Sequence, residues 1–259
     1  MQPTSTTSQR IWLLGASQGI GLALTQRLLQ HGYRVIASAR NATKNADLLS
    51  LQQRYPQQLI QLDCDIQDAD LTSACQQAWH AFEGLDIWFY NVGAYQPMRS
   101  DAWDLATFNL MLQSNYLGAV KAMIPLQQLQ QQQQHQNPMR WLWNISLSAD
   151  FGLPYGGGYS APKAALLNLA ESLQPELAQQ QISLQVINHG FVKTRLTAKN
   201  DFAMPGLMSP EQAADKIFAF LQKPAKRFEL RFPFGLSLLL ASLKRLPKGW
   251  SQAITKKML

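Results

Sequence analysis

Cysteine is nearly absent from this chain, which has only Cys64 and Cys75. Two thiols cannot complete a metal-ligand set or a disulfide framework, so no metal is expected and a reducing cytoplasmic setting fits better than secretion. Both read as small, partly buried hydrophobes. Carboxylates are also scarce, 16 Asp and Glu against 23 Lys and Arg, for a formal net charge of +7. Such a balance suits a surface for nucleic acid or anionic lipid, or a cleft for a phosphorylated cofactor. Zinc-finger spacing and RNA-binding aromatic motifs are missing, so nucleic acid is not expected as a partner. Much of the excess lies between Lys223 and Lys257, as a local surface property. Long apolar runs are lacking too. The longest, Leu236 to Leu243, is broken by Ser237 and Ser242, well short of the ~20 residues that span a bilayer. Met1 to Gln9 lacks the basic start and apolar stretch of a signal peptide.

What remains is a 259-residue chain with 46% hydrophobic residues, enough to bury a core. Strand-like runs alternate with helical ones. Strands are expected at Arg10–Leu14, Tyr33–Ala39, Leu59–Leu62, Leu85–Tyr90, Met139–Ile145, Ile182–Asn188 and Phe228–Phe232. Helices are expected at Ile20–His31, Ala46–Tyr55, Ala69–Phe82, Leu105–Gln134, Gly157–Gln179 and Pro210–Gln222, the last with Ser209 as cap. This alternation predicts an α/β fold: a doubly wound parallel sheet with helices on both faces. No linker divides the chain, so residues 1–259 read as one domain with a basic, apolar extension from about Pro233. The glutamine-rich stretch Gln127–Gln136 reads as an exposed helix end.

Gly15-Ala16-Ser17-Gln18-Gly19-Ile20-Gly21 follows the first strand and opens the first helix. Gly15 allows the sharp turn, Gly19 a close approach to a pyrophosphate and Gly21 tight helix packing. The helix N-terminus offers N–H groups to the phosphates. Further on, Tyr159 and Lys163 stand one helical turn apart. A free tyrosine has a pKa of about 10, too high for easy proton exchange near neutrality, and a neighbouring ammonium lowers it. Ser146, 13 positions before Tyr159, ends a strand where its hydroxyl can stabilise a carbonyl oxygen as hydride arrives. Ser148 competes for that role.

The three-residue gap between the first two glycines, with Asn115, Ser146, Tyr159 and Lys163 in this order, resembles the short-chain dehydrogenase/reductase family from about Arg10 to Thr194. The resemblance implies a Rossmann fold and a catalytic four made of those residues, Asn115 holding a water that relays protons to Lys163. It also implies that Asp65 and Ile66 face the adenine. Asn91-Val92-Gly93-Ala94 is similar to a family Asn-Asn-Ala-Gly segment, with Val92 replacing Asn and the small residues swapped. Asn188 to Thr194 resembles the loop that grips the carboxamide through Gly190, Val192 and Thr194, with His189 where proline is usual. A catalytic His189 is one reading and a backbone-positioning variant the other. Pairing of the long helices into a homodimer or tetramer follows by the same analogy.

The end of the second strand separates NADP(H) from NAD(H). A carboxylate there would bind ribose hydroxyls and repel a 2′-phosphate. Ala39 stands there instead, followed by Arg40 and then Lys44, and a guanidinium engages a phosphate in bidentate fashion. NADP(H) is therefore expected over NAD(H), although Gln18 stands where many NADP-users of the family carry a second basic residue. Phe191 to Ser209 is expected to form a lid, with Phe202, Met204, Pro205, Leu207 and Met208 facing the substrate and Tyr95, Leu153 and Tyr155 completing an apolar pocket. The expected substrate is a small hydrophobic ketone, aldehyde or secondary alcohol. Two other readings stay open: a dinucleotide sensor without catalysis, and a membrane-surface protein seated through its leucine-rich basic tail.

Overall fold

The computed structural model describes residues 8–132 and 137–257. Most of the polar N-terminal stretch and the end of the glutamine-rich segment, residues 133–136, lie outside the described residues. Seven strands form one parallel sheet: β1 (Arg10–Leu14), β2 (Arg34–Ala39), β3 (Leu59–Asp63), β4 (Ile87–Tyr90), β5 (Met139–Asn144), β6 (Ile182–His189) and β7 (Glu229–Phe232). Their spatial order is β3-β2-β1-β4-β5-β6-β7. The order reverses between β1 and β4, and a crevice opens at their carboxyl ends, where open α/β sheets bind ligands.

Among the described residues, nine α-helices connect and cover the strands: α1 (Gly19–Gln30), α2 (Ala46–Arg54), α3 (Thr72–Ala81), α4 (Leu105–Leu112), α5 (Gly118–Gln131), α6 (Gly157–Gln179), α7 (Pro210–Leu221), α8 (Phe234–Arg245) and α9 (Lys248–Lys256). Alternation along the strands explains the two covered faces. In β1, Ile11 and Leu13 pack with Leu24 and Leu28 of α1 and Ile217 of α7. Trp12 and Leu14 point the other way, into a core with α3, α5 and α6. That second core is built on indoles: Trp88 meets Trp141 edge-on at 5.0 Å and Trp143 at 6.1 Å. Small helix residues, Ala78, Ala119, Ala122 and Ala170, give these rings their room.

Three features differ from the sequence expectation. The stretch from Leu105 is not one helix: a π-helical turn, Gln113–Leu117, separates α4 from α5, with the helix-averse Asn115 at its centre. The glutamine-rich stretch is not simply an exposed end. Gln130 is buried with Nε2 donating to the Asn137 carbonyl at 2.7 Å, and Gln127 donates to Gln180 at the end of α6. Beyond β7 the chain forms two helices, split at Leu246-Pro247.

Candidate active site

The glycine loop sits on the crevice floor. Gly15 has φ +84°, a turn that L side chains rarely adopt, and its N–H donates to the Ser38 carbonyl of β2 at 2.8 Å. A Cβ at Gly21 would collide with the Gly15 carbonyl oxygen, so α1 starts as close to the loop as backbone allows. Gln18 precedes α1 with extended backbone and no side-chain cap, and the first turn carries no acid. Buried Ile20 anchors this turn in the core. The loop is thus a narrow cradle with open N–H groups, which fits the pyrophosphate of a dinucleotide.

The cradle is wired to the next strands by side-chain amides. Asn91, just past β4, donates through Nδ2 to the Gly15 carbonyl at 3.0 Å. Asn144 at the end of β5 donates to Asn91 Oδ1 at 2.7 Å, and the Asn144 carbonyl accepts from Lys163 Nζ at 2.6 Å. This relay from glycine loop to lysine was invisible in sequence. An Asn in a strand gives no signal until its neighbour across the sheet is known.

Asn115 is fully buried, and its amide pairs with the Ala94 backbone: Nδ2 donates to the carbonyl at 2.8 Å and Oδ1 accepts from the N–H at 3.2 Å. Both ends of the side chain are therefore used in holding the Asn91–Ala94 loop, where the resemblance implied a water relay. Gly93 lies between Asn115 and Lys163; a Cβ there would stand 3.2 Å from Oδ1 and 4.0 Å from Nζ.

Tyr159 and Lys163 share the inner face of α6, Nζ lying 5.9 Å from the phenol ring centroid. Ser146 follows β5 near the Tyr159 hydroxyl, close enough to oppose the rise of its pKa. Its Oγ also accepts from the Ser148 N–H at 3.2 Å and the Ser148 hydroxyl at 3.0 Å. Of the two serines, only Ser146 acts on the tyrosine hydroxyl, and Ser148 hydrogen-bonds to Ser146. Burial pushes the Tyr159 hydroxyl up to about 12, with Ser146 opposing that rise, and pulls the Lys163 ammonium down to about 7. The protein alone therefore favours the neutral forms of both groups, where the spacing predicted an ammonium-stabilised phenolate.

His189 ends β6 with its ring near-parallel to Phe232 and Nδ1–H donating to the Gly190 carbonyl at 2.7 Å. Burial draws it down to about 4, so it stays neutral at physiological pH. Thr194 lies over the glycine loop: a Cβ on Gly19 would come within 3.0 Å of its methyl. Buried Val192 bridges Met208, closing the lid at its base.

Arg40 is exposed at the end of β2. Behind it, Asp63 of β3 accepts from the Thr43 N–H at 2.9 Å and hydroxyl at 2.7 Å, and Asn45 donates to the Ser17 carbonyl at 3.3 Å. The Arg40–Asn45 loop is therefore pinned to both β3 and the glycine loop. Sequence reasoning missed Asp63 and Asn45, since neither falls within a motif. Asp65, expected to face the adenine, accepts from the Gln67 N–H at 3.0 Å and so caps its own turn, while Ile66 is buried beside Gly118.

An apolar cavity of about 300 Å³ lies beside this centre. Leu153 and Tyr155 line it as expected, and the wall continues to Gly157 and Gly158, just before Tyr159. The rest comes from Pro154 and from Met98, Ser100, Trp103 and Phe108, in and beyond the loop after β4, not from the lid. Phe202, Pro205 and Leu207 face outward instead. The lid is latched across the site: Lys199 Nζ donates to the Tyr95 carbonyl at 2.9 Å and Gln96 Oε1 at 3.0 Å. Beneath that latch, Tyr95 meets Tyr159 edge-on at 5.3 Å.

Residues 9–204 match the short chain dehydrogenase family. An oxidoreductase of Myxococcus xanthus is 28% identical over 94% of this chain and 95% of its own length. A 3-oxoacyl-acyl-carrier-protein reductase of Mycobacterium tuberculosis is 24% identical, over 75% of this chain and 73% of that protein. Among solved structures, a short-chain dehydrogenase of Burkholderia cenocepacia in complex with NADP superposes with a TM-score of 0.78 at 20% identity, covering 97% and 98% of the two chains. An alcohol dehydrogenase of Thermococcus sibiricus complexed with 5-hydroxy-NADP gives 0.77 at 21% identity, covering 87% and 96%. With the family match running from β1 through the lid latch, the chain belongs to the short-chain dehydrogenase family of oxidoreductases.

Proposed function

We propose that the chain is an NADP(H)-dependent reductase of hydrophobic ketones or aldehydes, with Tyr159 as general acid. The observation that carries this reading is Tyr159 placed one turn from buried Lys163, its ring centroid 5.9 Å from Nζ, near Ser146 and beside an apolar cavity.

The glycine loop, Asn91, Gly93 and the Gly190–Thr194 loop would hold the dinucleotide, with Asp65 and Ile66 on the adenine side. When bound, it supplies the hydride. The chain's own residues do the rest. Ser146 donates a hydrogen bond to the substrate oxygen, stabilising negative charge as it develops. Tyr159, held neutral by burial, has the proton that this oxygen needs and delivers it. Lys163 is a buried donor fixed by the Asn144 carbonyl. Its pKa near 7 lets it gain or lose a proton around neutrality and so restore Tyr159 after each turnover.

Cofactor choice rests on Arg40. No carboxylate stands at Ala39 or Arg40, and the nearby Asp63 is occupied by Thr43. A 2′-phosphate therefore meets a free guanidinium, worth roughly 1.5–3 kcal/mol for a charge-assisted contact. The cavity is lined by Met98, Trp103, Phe108 and Leu153, which favours apolar bulk over charge in the substrate. The exposed Leu105, Leu110 and Ile124 on α4 and α5 support pairing of this flank into a homodimer or tetramer.

The test is NADPH oxidation against a panel of carbonyl compounds. Tyr159→Phe is expected to lower kcat by about 10²–10⁴-fold while leaving NADPH binding in place. Arg40→Asp is expected to shift the NADPH/NADH ratio of kcat/KM toward NADH by roughly 10–100-fold. Turnover surviving in Tyr159→Phe would overturn the assignment of the acid, and an unchanged ratio in Arg40→Asp that of the cofactor.

A further inference from the structure

The chain beyond β7 carries five cations, Lys244, Arg245, Lys248, Lys256 and Lys257, and no Asp or Glu. It folds as α8 and α9, each with two unlike sides. The inner side of α8 is settled: Leu240 and Leu243 pack on Leu147, with Phe151 and Leu153 around them. Its outer side repeats every three to four residues, at Phe234, Leu238, Ser242 and Arg245, with Leu239 beside them, all exposed. Phe234 is 80% exposed and Leu238 57%. On α9, Ser251 is buried and its hydroxyl donates to the Lys248 carbonyl, while Trp250, 68% exposed, Ile254 and Lys257 form the outer stripe.

Large apolar side chains left in water on two successive helices, with cations at their margins, need an occupant. Charge chooses among the candidates. A second copy meeting this face about a two-fold axis would set five cations against five, without a carboxylate on either side. Nucleic acid would satisfy the cations but leave Phe234, Leu238 and Leu239 without an apolar partner. An anionic bilayer satisfies both: the phenyl, indole and leucines enter the interface, and Lys and Arg remain at the headgroups. At 12 and 9 residues the helices suit lying on the surface, and no helix among the described residues is long and apolar enough to cross a membrane.

We propose that α8 and α9 dock this protein on anionic membrane surfaces through Phe234, Leu238, Leu239, Trp250 and their flanking cations. Binding is read without turnover, so it stands apart from the catalytic roles above. The test is co-sedimentation of the full chain with sucrose-loaded vesicles of phosphatidylcholine, with and without phosphatidylglycerol. The wild type is expected to pellet with the anionic vesicles, to stay largely in solution with phosphatidylcholine alone, and to be released by about 1 M salt, which shrinks the Debye length to ~3 Å. The exposed-site variant L238S/L239S/W250S, checked for an unchanged circular dichroism spectrum, is expected to bind about tenfold less. K244E/K256E is expected to lose the phosphatidylglycerol dependence. Wild-type protein that stays in solution with anionic vesicles, or a triple variant that pellets as wild type does, overturns the proposal. So does a triple variant that instead falls from oligomer to monomer in sedimentation velocity, because the face would then belong to a second copy.

Discussion

Lys163 is an amine with almost no solvent exposure and a single backbone carbonyl as hydrogen-bond partner. Desolvation lowers its pKa from the ordinary 10.5 to about 7, so between those values the unfolded chain binds a proton that the folded chain does not. Stability contributed at this position therefore rises with pH from about 7 to 10.5, with a slope of at most about 1.4 kcal/mol per unit. Lys163→Met removes the group. The wild type is expected to gain stability relative to that variant across this window, in urea melts taken at stepped pH. A flat difference would mean that the lysine finds water or a counter-charge in solution. The grouping of Tyr159, Lys163 and Ser146 was legible in sequence because it depends on residue type and spacing along one strand-to-helix connection. The choice of Ser146 over Ser148 gained its support from the tyrosine hydroxyl, which only folding brings to it.

At the scale of elements, Asn115 and the lid show how far pattern carries. Asn115 is a poor residue for a helix interior, and a π turn is what the helix does there. Its pairing with Ala94 joins α4 and α5 to the loop after β4, a contact between segments 21 residues apart that no helical period encodes. The lid was legible as a loop, but its orientation was not. Phe202, Pro205 and Leu207 face outward, while Lys199, which had carried no signal, reaches back over Tyr95. Lys199→Met is expected to raise the KM for the carbonyl substrate roughly 2–5-fold through loss of exposed, charge-assisted hydrogen bonds. The pH profile of kcat should keep its shape, since no titrating group of the Tyr159 centre is altered. A KM equal to that of wild type would show that the latch does not govern closure.

For the whole molecule, the parallel sheet sets the site between β1 and β4, and the two flanks differ in what they offer. The α4–α5 flank presents leucine and isoleucine with few cations, whereas the α8–α9 side carries five cations and no Asp or Glu. Self-association is accordingly expected at the first flank. Wild-type protein should sediment as a dimer or tetramer, and L105D/I124D should shift it toward the monomer with the far-ultraviolet spectrum retained. A monomeric wild type would remove that expectation and leave the bilayer reading untouched.

The sequence by itself determined the alternation of strands and helices, the glycine cradle, the Tyr159–Lys163 turn and the absence of acid at Ala39 and Arg40. Each is a local property, set by periodicities of two and 3.6 residues or by a short motif. Tertiary structure decided the Asn91–Asn144–Lys163 relay, the Thr43–Asp63 pin behind Arg40, the origin of the cavity in the loop after β4, and the shift of Tyr159 and Lys163 toward neutrality. These depend on which strands are neighbours and on how much water is excluded between them, and neither quantity is written in any one segment of the chain.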